Sequence, residues 1–202
     1  MYEGVNILAY IDKEVGSRRL KPDPLIWTIA TAAGWVGAAR SETGLVALTL
    51  PQASVEECVR SLTQLGVQEG CSVVPPEPGH VLAGLAQALN RYFSGEPERL
   101  DFPVDWTVFT PFQQRVLQVV QGIRRGELLS YGQVAAQINC PRASRAVGGA
   151  LGANHILLVV PCHRVIRSDG TLGGFGSGLA WKVRLLTVEG INPGPGGKYR
   201  LF

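Results

Sequence analysis

Apolar positions follow two different periods along the 202-residue chain. In the first half, short apolar runs are cut by Gly, Pro and charged residues. Val5 to Ile11, Ile26 to Ala33, Trp35 to Arg40 and Leu45 to Leu50 therefore predict strands, with antiparallel turns at Gly34 and Thr43-Gly44. The period then lengthens. Ser54 with Glu57 predicts a capping box that opens a helix through Leu65, and Val81 to Phe93 carries the spacing of a second helix. Ser94 to Trp106, mostly polar or charged and containing Pro97 and Pro103, predicts a linker.

Beyond it, Thr110-Pro111-Phe112-Gln113 combines an N-cap, a first-turn proline and a capping glutamine. The helix it opens should reach about Ile123, with Phe112, Val116, Val119 and Val120 as its core face. Two shorter helices follow, Tyr131 to Ile138 and Arg142 to Ala153, broken by Asn139-Cys140-Pro141. The pair is helix-turn-helix-like, a shape that serves packing as often as DNA binding. On the second helix Arg142 and Arg145 share a face beside Ala146, Gly149, Ala150 and Ala153. A glycine inside a helix costs about 1 kcal/mol relative to alanine, so Gly148, Gly149 and Gly152 call for a compensating close approach. Either a nucleic-acid groove or a neighbouring helix would supply one. The fold class expected is α+β. An amino-terminal α/β domain with an antiparallel sheet (1–95) and a linker (96–106) precede a mostly helical, winged-helix-like DNA-binding domain (107–202).

Charge sharpens this picture. The formal charge of +3 conceals 8 Lys and Arg against 13 Asp and Glu in residues 1–105, and 11 against 3 in residues 106–202. A basic, arginine-rich second half implies a polyanionic partner, nucleic acid first. The stretch from Met1 to Gly16 lacks the uninterrupted apolar core of a signal peptide, and the Ile156 to Val160 run is far short of the roughly 20 residues of a membrane span. A cytosolic or nuclear address without a membrane partner is expected. Cys58, Cys71, Cys140 and Cys162 show no Cys-x-x-Cys spacing, and three histidines complete no zinc pattern, so neither a metal nor a disulfide is expected. Cys58 and Cys71 read as core residues.

The candidate chemistry lies where Ile156 to Val160, read as a rigid apolar strand, empties into Pro161-Cys162-His163-Arg164-Val165. Asn154 stands eight positions before the cysteine, and Glu189 lies downstream in an expected helix. A free thiol with a pKa of about 8.5 is a few per cent thiolate near neutrality, so a nucleophilic cysteine needs a base or a positive charge, and His163 and Arg164 are adjacent. Neighbours on an extended chain point to opposite sides, which demands a water relay or a sharp turn between Cys162 and His163. Gly173-Gly174-Phe175-Gly176-Ser177-Gly178 follows the turn Ser168-Asp169-Gly170 and lacks the Lys-Ser/Thr ending of a P-loop.

Ser130-Tyr131-Gly132-Gln133-Val134-Ala135, Arg145-Ala146-Val147-Gly148-Gly149-Ala150, Asn154 and Pro161-Cys162-His163-Arg164-Val165 together closely resemble the O6-alkylguanine-DNA alkyltransferases. The resemblance runs from about Thr110 to Gly190; the first hundred residues resemble that family's amino-terminal domain in order and composition alone. It implies direct-reversal DNA repair. A nucleotide is flipped out of the duplex, and its O6-alkyl group, or the O4-alkyl group of a thymine, passes once to a cysteine without a cofactor.

Carried over by position, Cys162 is the acceptor, His163 a base acting through water, Glu189 the carboxylate that orients the imidazole, and Asn154 the holder of the turn and its water. Tyr131 donates its hydroxyl to a purine ring nitrogen. Arg145 fills the gap left by the extruded nucleotide, Arg142 contacts phosphate, and Ala146, Gly148 and Gly149 lie against the minor groove. Pro161, Val165, Phe175 and Gly176 belong to the pocket, whose loop Lys182 supports unless it is a solvated lysine. Phe175 stands where a tyrosine is frequent, Ile123-Arg124-Arg125-Gly126 replaces the usual Pro-containing turn, and His155 could be a second titrating group. The implied protein is a monomer acting on double-stranded DNA with alkylated bases, in the cytoplasm or, in a eukaryote, the nucleus. Two rivals share these residues: a module that binds the lesion without transferring it, and a Cys-His-Glu hydrolase of thioesters or amides.

Overall fold

The computed structural model describes residues 25–67, 80 and 82–201. The strand expected from Val5 to Ile11, and Cys71, lie outside the described residues. Strands β1 (Leu25–Thr31), β2 (Gly34–Arg40) and β3 (Leu45–Leu48) form an antiparallel sheet in chain order. The register runs from Leu25 opposite Arg40 to Thr31 opposite Gly34. That turn requires its glycine: Gly34 has φ of +125°, and a Cβ there would lie 2.6 Å from the Gln52 carbonyl oxygen.

Helix α1 (Val55–Gln64) packs on β2, and α2 (Leu85–Phe93) packs on β1. Ser54 caps α1 by accepting from the Glu57 amide, but the Glu57 carboxylate accepts from Ala53, so the expected reciprocal box is half formed. Helix α2 begins later than its apolar spacing suggests, because Leu82–Gly84 form a turn before it.

In the second half, α3 (Pro111–Gln121) and α4 (Tyr131–Gln137) each open on a complete capping box, Thr110 with Gln113 and Ser130 with Gln133. Helices α3, α4 and α5 (Ser144–Gly152) pack together. The turn before α5 passes through Asn139 at φ 58°, a left-handed conformation that asparagine tolerates. It leaves Arg142 ahead of α5, not on it. Two-residue strands β4 (Leu129–Ser130) and β5 (Val165–Ile166) pair in parallel, and α6 (Leu179–Val188) closes the helical set. The architecture is α+β, as the pattern predicts.

The run from Ile156 to Val160 is not the expected strand. Ile156 makes one bridge to Leu48, and the chain then turns, with Leu158 at φ 71°. The segment is apolar because it threads the interior: Ile156, Leu158, Val159 and Val160 are all buried. A short apolar run does not by itself specify a strand.

Pro103 to Asp105 lie beside the start of β3, where Leu45 donates to the Pro103 carbonyl and accepts from the Asp105 amide. Leu100 and Val104 are buried. One apolar cluster joins Trp27, Leu48 and Leu89 to Val116, Val147 and Val159, so both halves support the Cys162 turn from a shared core. Among the described residues no helix is long and apolar enough to cross a membrane, and no group of three His, Cys, Asp or Glu side chains could hold a metal ion.

Candidate active site

The parallel pairing of β4 with β5 brings two distant segments together. Ser130 ends β4 and caps α4, which puts Tyr131 at the first position of that helix. The strand β5 directly follows Cys162–Arg164, which form a single 3-10 turn and so provide the sharp bend that an extended chain would lack. Tyr131 and Cys162 consequently line one cleft of about 640 Å³, together with Arg145, Gly148, Phe175 and Gly176. Cys162 is 7% exposed, so its sulfur reaches the cleft from a largely buried seat.

Two sets of hydrogen bonds surround the cysteine turn. Asn154 Nδ2 donates to Cys162 Sγ at 3.2 Å and to the Val160 carbonyl at 2.9 Å. Burial pushes the Cys162 thiol above its usual range, opposed by the Asn154 hydrogen bond and by the charge of Lys182. His163 Nε2 lies 2.8 Å from Glu189 Oε1. Burial draws His163 below its usual value despite Glu189, so near neutrality the imidazole is neutral. With Nε2–H donating to the carboxylate, the ring lone pair is at Nδ1, the tautomer a base requires.

Burial alone would raise Glu189. The bonds from His163 and Arg164 more than reverse this, and the carboxylate stays ionised. Arg164 grips it with Nε to Oε2 at 2.8 Å and Nη2 to Oε1 at 2.7 Å, while Nη1 donates to the Ile123 carbonyl at 2.6 Å. Arg164 is thus committed to Glu189. The cation whose charge favours the Cys162 thiolate is Lys182. It is buried, not solvated, and Nζ donates to the carbonyls of Val165 and Leu172 at 2.6 Å and of Gly174 at 3.3 Å. Burial brings its pKa down to about 8, with Cys162 acting in the opposite direction.

The exposed side of α5 is built by omission. Among the described residues, added Cβ atoms at Gly149 and Gly152 would meet nothing within 4 Å, and one at Gly148 would meet the Tyr131 ring at 3.8 Å. No helix among the described residues therefore accounts for the glycines at 149 and 152, and packing against one fails as their explanation. Arg142, Arg145, Ala146, Gly149 and Gly152 are exposed. Ala150, expected on that face, is buried in the core instead, because it lies three residues from the buried Val147 and shares its inward face. Gly173, at φ +68°, admits the Tyr131 hydroxyl; a Cβ there would sit 2.8 Å from it.

Pro161 and Val165 are buried and stand behind the cleft wall, Val165 through its bond with Lys182. His155 stacks on Phe109 with ring centroids 4.5 Å apart. Cys58 is buried, as expected of a core cysteine, and Cys140 is half-buried in the turn before α5. Sequence reasoning missed Tyr92, whose hydroxyl donates to Glu189 Oε1, and Arg167, which lines the cleft five residues after Cys162. Tyr92 reads as one more apolar-face residue of a helix. Arg167 had a signal, as one more arginine of the basic half beside the motif.

Residues 111–191 match the DNA-binding domain of the 6-O-methylguanine DNA methyltransferase family. A methylated-DNA--protein-cysteine methyltransferase of Mycobacterium tuberculosis is 46% identical over 114 residues, which span 56% of this chain and 68% of that protein. The chain belongs to the 6-O-methylguanine DNA methyltransferase family. A member with the same name from Salmonella typhimurium is 48% identical over 107 residues, 53% of this chain and 63% of its own length. The likeness to this methyltransferase family extends to the fold. A crystal structure of Mycobacterium tuberculosis OGT in complex with DNA superposes with a TM-score of 0.63 at 37% identity, covering 81% of this chain and 91% of that one.

Proposed function

We propose that the chain is a methylated-DNA--protein-cysteine methyltransferase that reverses O6-alkylguanine in duplex DNA by moving the alkyl group onto Cys162 Sγ. The observation that carries this reading is Cys162 lining an open cleft with Asn154 at 3.2 Å from its sulfur, in the turn that sets His163 on Glu189. The thiol proton passes through a water to His163 Nδ1, the sulfur attacks the alkyl carbon, and the carbon–oxygen bond breaks as the carbon–sulfur bond forms. The electron pair goes to the base. Tyr131 stays a neutral donor because burial raises its pKa, and its hydrogen bond to a ring nitrogen helps guanine depart without a full negative charge.

Residues 107–202 form the alkyl-acceptor unit, and residues 1–95 its scaffold, joined through 96–106. Arg145 enters the duplex where the nucleotide leaves, the face of Ala146, Gly148 and Gly149 lies against a widened minor groove, and Arg142 with Arg167 meets phosphate. Phe175 and Gly176 shape the base pocket, and Pro161, Val165 and Lys182 hold its wall. O4-alkylthymine is a further substrate of the same cleft, and the protein acts as a cytoplasmic or nuclear monomer. A thioether has no facile leaving group, so each molecule reacts once. Repair of a duplex containing O6-methylguanine should stop at one lesion per protein molecule. Continued loss of lesions would favour a hydrolytic turnover enzyme, and binding without loss would favour a recognition module.

A further inference from the structure

Tyr92 lies on α2, in the first half of the chain, 97 residues before the carboxylate it touches. Its hydroxyl donates to Glu189 Oε1 at 2.8 Å, the oxygen that also takes His163 Nε2 at 2.8 Å and Arg164 Nη2 at 2.7 Å. The segment is fixed in place. Arg125 stands 5.4 Å above the Tyr92 ring and donates to the carbonyls of Gly95, Glu96 and Val188, tying the end of α2 to the end of α6. A phenylalanine would fill the same space. Tyr92 is 1% exposed, so its hydroxyl loses its hydration and must be bonded inside the protein, and its bond goes to the relay carboxylate.

We propose that Tyr92 is a positioning residue for alkyl transfer: by donating to Glu189 it fixes the carboxylate against His163 and limits how strongly the imidazole holds a proton. This rests on the alkyl-transfer reading above. The groups that bear on the relay are Tyr92 and Arg164 on Glu189, Lys182 and Cys162 around His163, and Arg125 over the Tyr92 ring. Without the hydroxyl, Oε1 keeps two donors, its charge is less shared, and the imidazolium is favoured. His163 then becomes a neutral base at a higher pH.

The test is the pH dependence of Cys162 alkylation by free O6-benzylguanine, a substrate that needs no DNA, followed by intact mass. In Tyr92→Phe the acid limb should move to higher pH by about half a unit, which is about a threefold loss of rate at any pH well below the midpoint of the limb, with the high-pH plateau kept. Fluorotyrosine at position 92, a stronger donor of the same shape, should move the limb to lower pH, and it covers the case in which the phenylalanine variant folds poorly. A limb that stays in place, with or without a uniform fall in rate, or that moves the other way, would overturn the assignment. A wild-type protein left unmodified at every pH would overturn the alkyl-transfer reading and this inference with it, whereas wild-type alkylation with unmoved limbs would sink the inference alone.

Discussion

Asn154 closes the reactive loop onto Cys162. Its amide nitrogen donates to Cys162 Sγ at 3.2 Å and to the Val160 carbonyl at 2.9 Å, while its oxygen accepts from the Ile156 amide at 3.0 Å. One side chain thus ties both ends of the turning apolar segment to the sulfur it delivers. The eight-residue spacing between Asn154 and Cys162 is the length of that loop.

Asn154→Ala should therefore damage stability and chemistry together. The Ile156 amide is left buried without its partner, a cost of about 1–3 kcal/mol, while the Val160 carbonyl keeps its bond from the Cys162 amide. The thiolate also loses a donor, so alkylation by free benzylguanine should slow by about tenfold or more, roughly the worth of one hydrogen bond to a charged group. Denaturant midpoints and single-turnover rates check both. A variant with wild-type stability and rate would show that Asn154 is a bystander.

Gly149→Leu separates recognition from folding. No described residue lies within 4 Å of a Cβ at this position, and leucine gains about 0.5–1 kcal/mol of helix propensity over glycine. The midpoint of unfolding should hold or rise, and the free-base reaction should be unaffected. Affinity for duplex DNA should fall by at least about tenfold, since added bulk on this face obstructs close approach to a groove. Undiminished duplex binding in an equilibrium titration would remove α5 from the interface.

The buried histidine predicts a pH dependence of stability with a definite sign. His163 has its folded pKa drawn below the unfolded value of about 6.5, so the unfolded chain takes up a proton that the folded protein resists. This contribution is complete above about pH 6.5 and is lost as the pH falls through the folded value, with a slope approaching about 1.4 kcal/mol per pH unit. Between pH 6.5 and 5 most carboxylates remain ionised, which leaves histidine dominant in that window. Denaturant titrations at pH 7.5, 6.5 and 5.5 should show the decline, and His163→Gln should flatten it. An equal slope in both proteins would assign the dependence to other groups.

Much of this arrangement was legible in the chain, for physical reasons that differ by element. The capping sequence at Thr110 is local chemistry, and its helix starts where it says. Cys162, His163, Asn154 and Tyr131 lie in contiguous motifs that the family resemblance places together. The path of the apolar segment from Ile156 to Val160 is not legible in the chain, because burial and strand formation leave the same hydrophobic mark over five residues. Adjacency made Arg164 a candidate charge beside Cys162, whereas its guanidinium turns to Glu189, 25 residues away, a pairing that sequence proximity does not report. Tyr92 was invisible for a related reason: its bond spans 97 residues, and no periodicity reports a contact at that range.

The central claim is that an alkyl group moves to one sulfur. Intact-protein and peptide mass spectrometry after incubation with a duplex carrying O6-methylguanine tests it most directly. The account predicts the addition of a single methyl group, located on the peptide containing Cys162 and absent from Cys162→Ser, with the lesion converted to guanine. An unmodified mass alongside tight binding, or a methyl group on any other residue, would contradict it.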